Sequence, residues 1–270
     1  MIYRDLNHFD ILQICQSGQC FRMEQKAEGL FSVIAGNRYL EVGQSGNQVS
    51  FDCSEEDFDG FWKRYFDLDT DYGTYISQVD PEDLYLNRAV AKGMGIRILK
   101  QDLWETIVSF LISQQNNIVR IRRCIDNICR TYGDKLVSGG GEEYYAFPLP
   151  EALADLEENA LMECNLGYRS KYVVRAARSV ARGELDLEAI ALMPYGEAKE
   201  ALLGIFGVGK KVADCICLFS LHQLEAFPQD THINQALQKH YEEGFPFDRY
   251  QAFSGVLQQY IFYHELMGSD

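Results

Sequence analysis

Positive charge is scarce in this chain: 25 Lys and Arg stand against 40 Asp and Glu, and with five His the net charge is −15. As a sum, that argues against a polyanionic partner. Long apolar runs are missing too, and none approaches the ~20 residues that a membrane-spanning helix requires. Residues 1–13 show no basic segment followed by an apolar one, so an intracellular protein without membrane association is expected. The eight cysteines (Cys15, Cys20, Cys53, Cys124, Cys129, Cys164, Cys215 and Cys217) never form a C-x-x-C pair. Reduced thiols are therefore expected, not a zinc or disulfide framework. No repeat of solenoid length is present.

Apolar and aromatic residues are plentiful, at 47% and 13% of the 270, which places the chain among globular proteins with a sizeable core. Its charge is unevenly spread. Residues 52–83 hold eleven acids against two bases, and 142–163 hold seven acids and no base. Residues 88–130 carry eight bases against three acids, and 169–182 carry five bases and no acid. Such segregation fits a basic face on an acidic body, and fits equally well a set of solvated helix faces.

The texture changes near Asp80-Pro81. Before it, "LFSVIAGNRYLEVGQSGNQVSFDC" reads as three short β-rich runs broken at Gly36-Asn37 and Ser45-Gly46-Asn47, an antiparallel meander. After it, "LWETIVSFLISQQNNIVRIRRCIDNICRTYG" has helical spacing at Ile107, Leu111, Ile118, Ile121, Ile125 and Ile128, with Gly133 as a stop. "SGGGEE" at 138–143 reads as a flexible loop, and Pro150 opens a new helix. Further helices are expected over about 172–182, 195–205, 211–221, 231–241 and 249–264. The predicted class is α+β: a small antiparallel β domain over 1–82 and a mainly helical body over 83–270.

Within that body, "EALLGIFGVGKKVADCICLF" reads as helix, three-residue turn, helix, a hairpin spanning about 195–221. Gly207 and Gly209 permit backbone angles that other residues resist, so the chain can reverse across Gly207, Val208 and Gly209. The turn offers free N–H groups at a helix start, where a phosphate binds without base-specific contact. A plain glycine-capped hairpin has the same pattern. Lys211 lies in the first turn of the second helix, with Cys215 four residues on along the same face. An amine attacks only when neutral, and burial, a helix N-terminus and the adjacent Lys210 all disfavour the charged form. Asp230 in "FPQDTHIN" reads as an N-cap that also has a carboxylate oxygen to spare for a cleft beside Lys211.

The ordered motifs "SGQCFR", "GIRILKQDLWETIVSFLISQQNNIVRI", "LGYRSKY", "GVGKKVADC" followed by "PQDTH", and "FSGVLQQYIF" cover nearly the whole chain. Together they resemble the helix-hairpin-helix DNA glycosylase superfamily and, within it, the 8-oxoguanine DNA glycosylases. The resemblance implies that Lys211 attacks the anomeric carbon of a damaged nucleotide and forms a Schiff base, with strand nicking by β-elimination. Asp230 is implied to stabilise the developing positive sugar. Gly18 would offer a backbone carbonyl to the N7–H that oxidised guanine has and guanine lacks. Cys215 and Phe262 would sandwich the base, and Gln258 would bind its Watson–Crick edge.

In the same way Tyr168 would wedge the stack vacated by the flipped base, while Gln115, Asn116, Arg120 and Arg169 would fill or read the gap opposite. Gln115 stands where eukaryotic members carry asparagine, which weakens the expectation of a strict cytosine preference. The hairpin residues 207–209, with Lys210 and His232, would hold the DNA backbone. Relatives with a four-cysteine iron–sulfur motif place it near the C-terminus, and no cysteine follows Cys217 here. The implied enzyme thus needs no cofactor and has no cluster, although a monovalent or divalent cation at the hairpin backbone is compatible with it. Its implied partner is double-stranded DNA containing oxidised guanine, bound by a monomer in the cytoplasm or nucleoid, or in a nucleus. The rival readings are a glycosylase of the same fold for another lesion and a non-catalytic DNA-binding module.

Overall fold

The structure is a computed structural model that describes residues 1–268. Its N-terminal region is a five-stranded antiparallel sheet of β1 (Ile2–Asp5), β2 (Met23–Ala27), β3 (Leu30–Ala35), β4 (Arg38–Ser45) and β5 (Gln48–Phe51), in the order β1-β5-β4-β3-β2. The two expected reversals join β3 to β4 and β4 to β5, pairing Ala35 with Arg38 and Ser45 with Gln48. The edge strand β1 is additional. It pairs with β5 from Ile2–Phe51 to Asp5–Gln48, a long-range partnership that four mixed residues do not announce. Alternation along the strands sends Phe31, Val33, Leu40, Val42, Val49 and Phe51 inward, all fully or nearly fully buried. They pack against Ile11 and Ile14 of α1 (Ile11–Gln16) and against Phe58, Trp62 and Phe66 of the short helical turns that follow β5.

A second core fills the helical body. At its centre runs α3 (Leu103–Ser113), preceded by α2 (Leu84–Gly93); nine consecutive α3 residues, Trp104–Ile112, are buried. Such an all-round apolar helix belongs in an interior. Asp102 caps it by accepting from Glu105 N at 2.8 Å. The apolar periodicity predicted one helical stretch continuing to Gly133, but the helix breaks. Gln115 adopts φ +47° and Asn117 caps a separate helix, α4 (Ile118–Tyr132), by accepting from Arg120 N at 2.9 Å. Apolar spacing is blind to a break that preserves the buried face; the Asn cap is the local signal for it. The glycine-rich loop is the turn of a small hairpin between β6 (Lys135–Val137) and β7 (Glu143–Tyr145). Further along are α5 (Ser170–Ala181), α6 (Tyr195–Leu203), α7 (Lys210–Phe219), α8 (Thr231–His240) and α9 (Ser254–Leu266).

Polar clamps join the two cores. Arg22 and Glu105 form a buried pair at 3.4 Å, and Glu105 also accepts from Gly36 N at 2.9 Å. Asp67, 1% exposed, accepts from Lys100 at 2.6 Å and from the Tyr72 hydroxyl at 3.1 Å, and meets His222 Nε2 at 3.1 Å. Among the described residues no helix is long and apolar enough to cross a membrane.

Candidate active site

The hairpin forms where the glycine pattern placed it, but only one glycine needs its freedom. Gly207 sits at φ +95°, whereas Gly209 is extended at φ −102° and serves as the N-cap of α7 without any side-chain cap. The first helical ladder bond joins Ala213 N to Gly209 O, so the N–H groups of residues 210–212 point out of the helix start. Behind the turn, Asp214 accepts from the Tyr195 hydroxyl at 2.6 Å and from Lys199 at 2.7 Å, locking α6 to α7 one turn beyond Lys210 and Lys211. Burial works against the Lys199 charge, but its bonds to Asp214 and Tyr195 outweigh that and hold the ammonium form.

One small cavity gathers Gly18, Lys211, Cys215, Asp230, Gln258 and Phe262 from four separate parts of the chain. Ser17, Phe110, Phe219, Pro228 and Gln259 complete its wall; none of these was a sequence-based candidate. Its volume is about 60 Å³, well below the ~300–1,000 Å³ of pockets that enclose small ligands. The reason is local. Gly18 lies at φ +74° with Phe262 so close that a Cβ there would sit 3.2 Å from the ring. Phe262 thus fills the space above Gly18.

The turn carrying Gly18 is held from behind. The 0%-exposed side chain of Gln19 donates to Ser17 Oγ and Arg97 O, both at 2.9 Å, and accepts from Leu99 N at 2.8 Å. The carbonyl of Gln19 accepts from Gln101 at 2.7 Å, so the turn carrying Gly18 is tied to residues 97–101. Lys211 is half-buried, with Nζ 5.4 Å from the centroid of the Phe110 ring, which stacks on Phe219. Cys215 is fully buried; burial pushes its thiol up to about 11, against the opposing charge and hydrogen bond of Lys211. Asp230 caps α8 as expected, accepting from Ile233 N at 2.9 Å, while lining the cavity with Lys211.

The residues expected beside the flipped nucleotide form a second group around the break between α3 and α4. Tyr168, 47% exposed, meets Gln115 Oε1 at 3.4 Å. Asn116 donates to Ile112 O, and Arg120 is exposed, reaching Asn165 O at 3.4 Å. Arg169 departs from the outward position implied for it. It is 3% exposed, lies under the Tyr168 ring at 4.5 Å, and donates to the carbonyls of Gln114 and Gln115. Two carbonyls at a broken helix end need a donor fork, and Arg169 supplies it. In this structure it shapes the loop that presents Gln115. Gln114 links that loop to the hairpin by donating to Gly207 O at 3.0 Å. Lys210 and His232 are exposed at the starts of α7 and α8.

Residues 1–107 match the family profile described as the 8-oxoguanine DNA glycosylase N-terminal domain, and residues 108–244 match the HhH-GPD superfamily of base excision DNA repair proteins. The chain is 34% identical over 218 residues to an N-glycosylase/DNA lyase of Saccharomyces cerevisiae, covering 76% of this chain but 55% of the yeast protein. To a probable N-glycosylase/DNA lyase of Methanothermobacter thermautotrophicus it is 31% identical, covering 74% of this chain and 70% of that protein. The Clostridium acetobutylicum 8-oxoguanine glycosylase/lyase, solved with duplex DNA containing cytosine opposite 8-oxoguanine, superposes with a TM-score of 0.91 at 36% identity, over 98% of this chain and 94% of that one. With both family profiles matched in order along a fold that these relatives share, the chain belongs to the HhH-GPD superfamily of base excision DNA repair proteins and carries the N-terminal domain of its 8-oxoguanine glycosylase branch.

Proposed function

We propose that this protein is a bifunctional DNA glycosylase and lyase that removes 8-oxoguanine from duplex DNA. One observation carries the reading: a single cavity holds an amine, a carboxylate, a backbone turn at Gly18, a thiol, an amide and an aromatic ring from four distant segments. The likeness to 8-oxoguanine glycosylase/lyases over nearly the full chain supports it.

The amine of Lys211 attacks C1′ of the extruded nucleotide. The C1′–N9 bond breaks, its electron pair leaves with the base, and a proton is delivered to that base. Ring opening gives an iminium between Nζ and C1′; loss of a C2′ proton then expels the 3′ phosphate by β-elimination. The Asp230 carboxylate faces the sugar, where positive charge develops. Exposed N–H groups at the start of α7 hold a backbone phosphate, and Lys210 and His232 border that face. Amine and carboxylate suffice for these steps, so no cofactor is needed. We place the enzyme inside the cell, with the DNA it repairs.

Borohydride trapping tests the reading directly. Reduction of the iminium links wild type covalently to an 8-oxoguanine duplex, and Lys211→Gln gives no link. Failure of wild type to trap on any damaged duplex refutes the mechanism. A non-catalytic DNA-binding module would need neither Lys211 nor Asp230 in its cavity.

A further inference from the structure

The base cavity contains one amide more than the sequence motifs account for. Gln259, beside Gln258 on α9, is 3% exposed and lines the same cavity. Pro228, Gln258 and Gln259 form a chain whose donor and acceptor roles are forced from one end. A proline carbonyl only accepts, so the Gln258 atom 2.9 Å from Pro228 O is the donor Nε2. That turns Gln258 Oε1 toward its neighbour, and an oxygen there requires a donor; the atom 3.1 Å away is therefore Gln259 Nε2. What remains is Gln259 Oε1, buried and without any donor among the described residues. A buried acceptor in that state is unfavourable until a ligand supplies a hydrogen.

We propose that Gln259 is a specificity-determining residue whose Oε1 accepts a hydrogen bond from the exocyclic 2-amino group of the extruded base. This rests on the 8-oxoguanine reading and deepens it. The Watson–Crick edge of guanine carries two adjacent donors, N1–H and the 2-amino group. Gln258 Oε1 already accepts from Gln259, which leaves it capacity for one of them. The other needs a further acceptor, and Gln259, which lines the cavity, has an idle buried Oε1. A lesion without the 2-amino group leaves that oxygen orphaned in the complex, and a site built for a hydrogen bond discriminates strongly against a substrate that cannot make it.

The test compares excision of 8-oxoguanine and 8-oxohypoxanthine, which differ only in the 2-amino group, each opposite cytosine, by wild type and Gln259→Met. The readout is the ratio of kcat/KM for the two lesions. Gln259→Met is expected to lower the preference for 8-oxoguanine by about tenfold or more, the effect of relieving one orphaned buried acceptor. Each ratio is taken on one enzyme preparation, so partial misfolding cancels, and each variant meets the same duplexes, so pairing strength cancels. A purely structural Gln259 slows both lesions alike. A ratio unchanged within about twofold, whatever the absolute rates, overturns the inference and leaves the glycosylase intact. A wild type that releases neither lesion and fails to trap overturns the function itself.

Discussion

Replacing Gly207 with alanine confronts two separate obstacles. The backbone stands at φ +95°, where an L side chain costs about 1–2 kcal/mol. The new Cβ would also lie 2.7, 2.9 and 3.0 Å from Cγ, Cδ2 and Cδ1 of Tyr172. That ring cannot simply retreat, because it packs edge-on against Tyr168 at 5.7 Å and Phe206 at 5.4 Å. Overpacking of this kind costs about 1–3 kcal/mol. The sum, about 2–5 kcal/mol, is a large share of the 5–15 kcal/mol that holds a typical domain together. Urea denaturation of Gly207→Ala should show that loss, and its affinity for a lesion duplex at fixed salt should fall because the turn proposed to hold a backbone phosphate is displaced. Removing the ring as well, in Gly207→Ala/Tyr172→Ala, should restore the steric part alone, giving a coupling energy of about 1–3 kcal/mol in the double-mutant cycle. A Gly207→Ala protein within about 0.5 kcal/mol of wild type, or a coupling near zero, would refute the reasoning.

Two other substitutions separate structure from chemistry. Asparagine caps a helix as well as aspartate, so Asp230→Asn should keep its unfolding free energy within about 0.5 kcal/mol of wild type. Excision should meanwhile fall by about 100-fold or more, because the charge proposed to face the sugar is gone; equal losses of stability and rate would leave Asp230 only its cap. At the junction of the two cores, burial alone would raise the Asp67 carboxyl, but His222 and Lys100 outweigh it and hold it down at about 2. A carboxyl lowered in the folded state stabilises above its ordinary range of about 4 and loses that contribution as pH falls from there toward 2. Wild-type stability should therefore drop across that window more steeply than that of Asp67→Asn, and parallel acid titrations of the two proteins would exclude the assignment.

Much of the site was legible because its chemistry depends on local patterns. The turn at Gly207 preceding Lys211, the cap at Asp230, and the hairpins at Gly36 and Gly46 are each specified within a few residues. Gln259, Phe110 and Pro228 were not, because an amide or a ring on a buried helix reads as core until its neighbours from other segments are known. Arg169 shows the converse. Its place in "GYRSK" suggests a surface contact, yet the broken end of α3 leaves carbonyls that only folding brings within its reach. The break itself escaped a reading by apolar period, since Ile107 and Leu111 before it and Ile121, Ile125 and Ile128 after it are all buried.

By itself the sequence determined the α+β order, the chain reversals and the helix cap at Asp230, because these follow from short-range dihedral and hydrogen-bonding preferences. Tertiary structure alone decided that β1 closes the sheet edge, that Phe262 rests on Gly18, and that one amide oxygen is left without a partner. Those outcomes depend on distances between segments up to about 250 residues apart, and no local preference encodes such a distance.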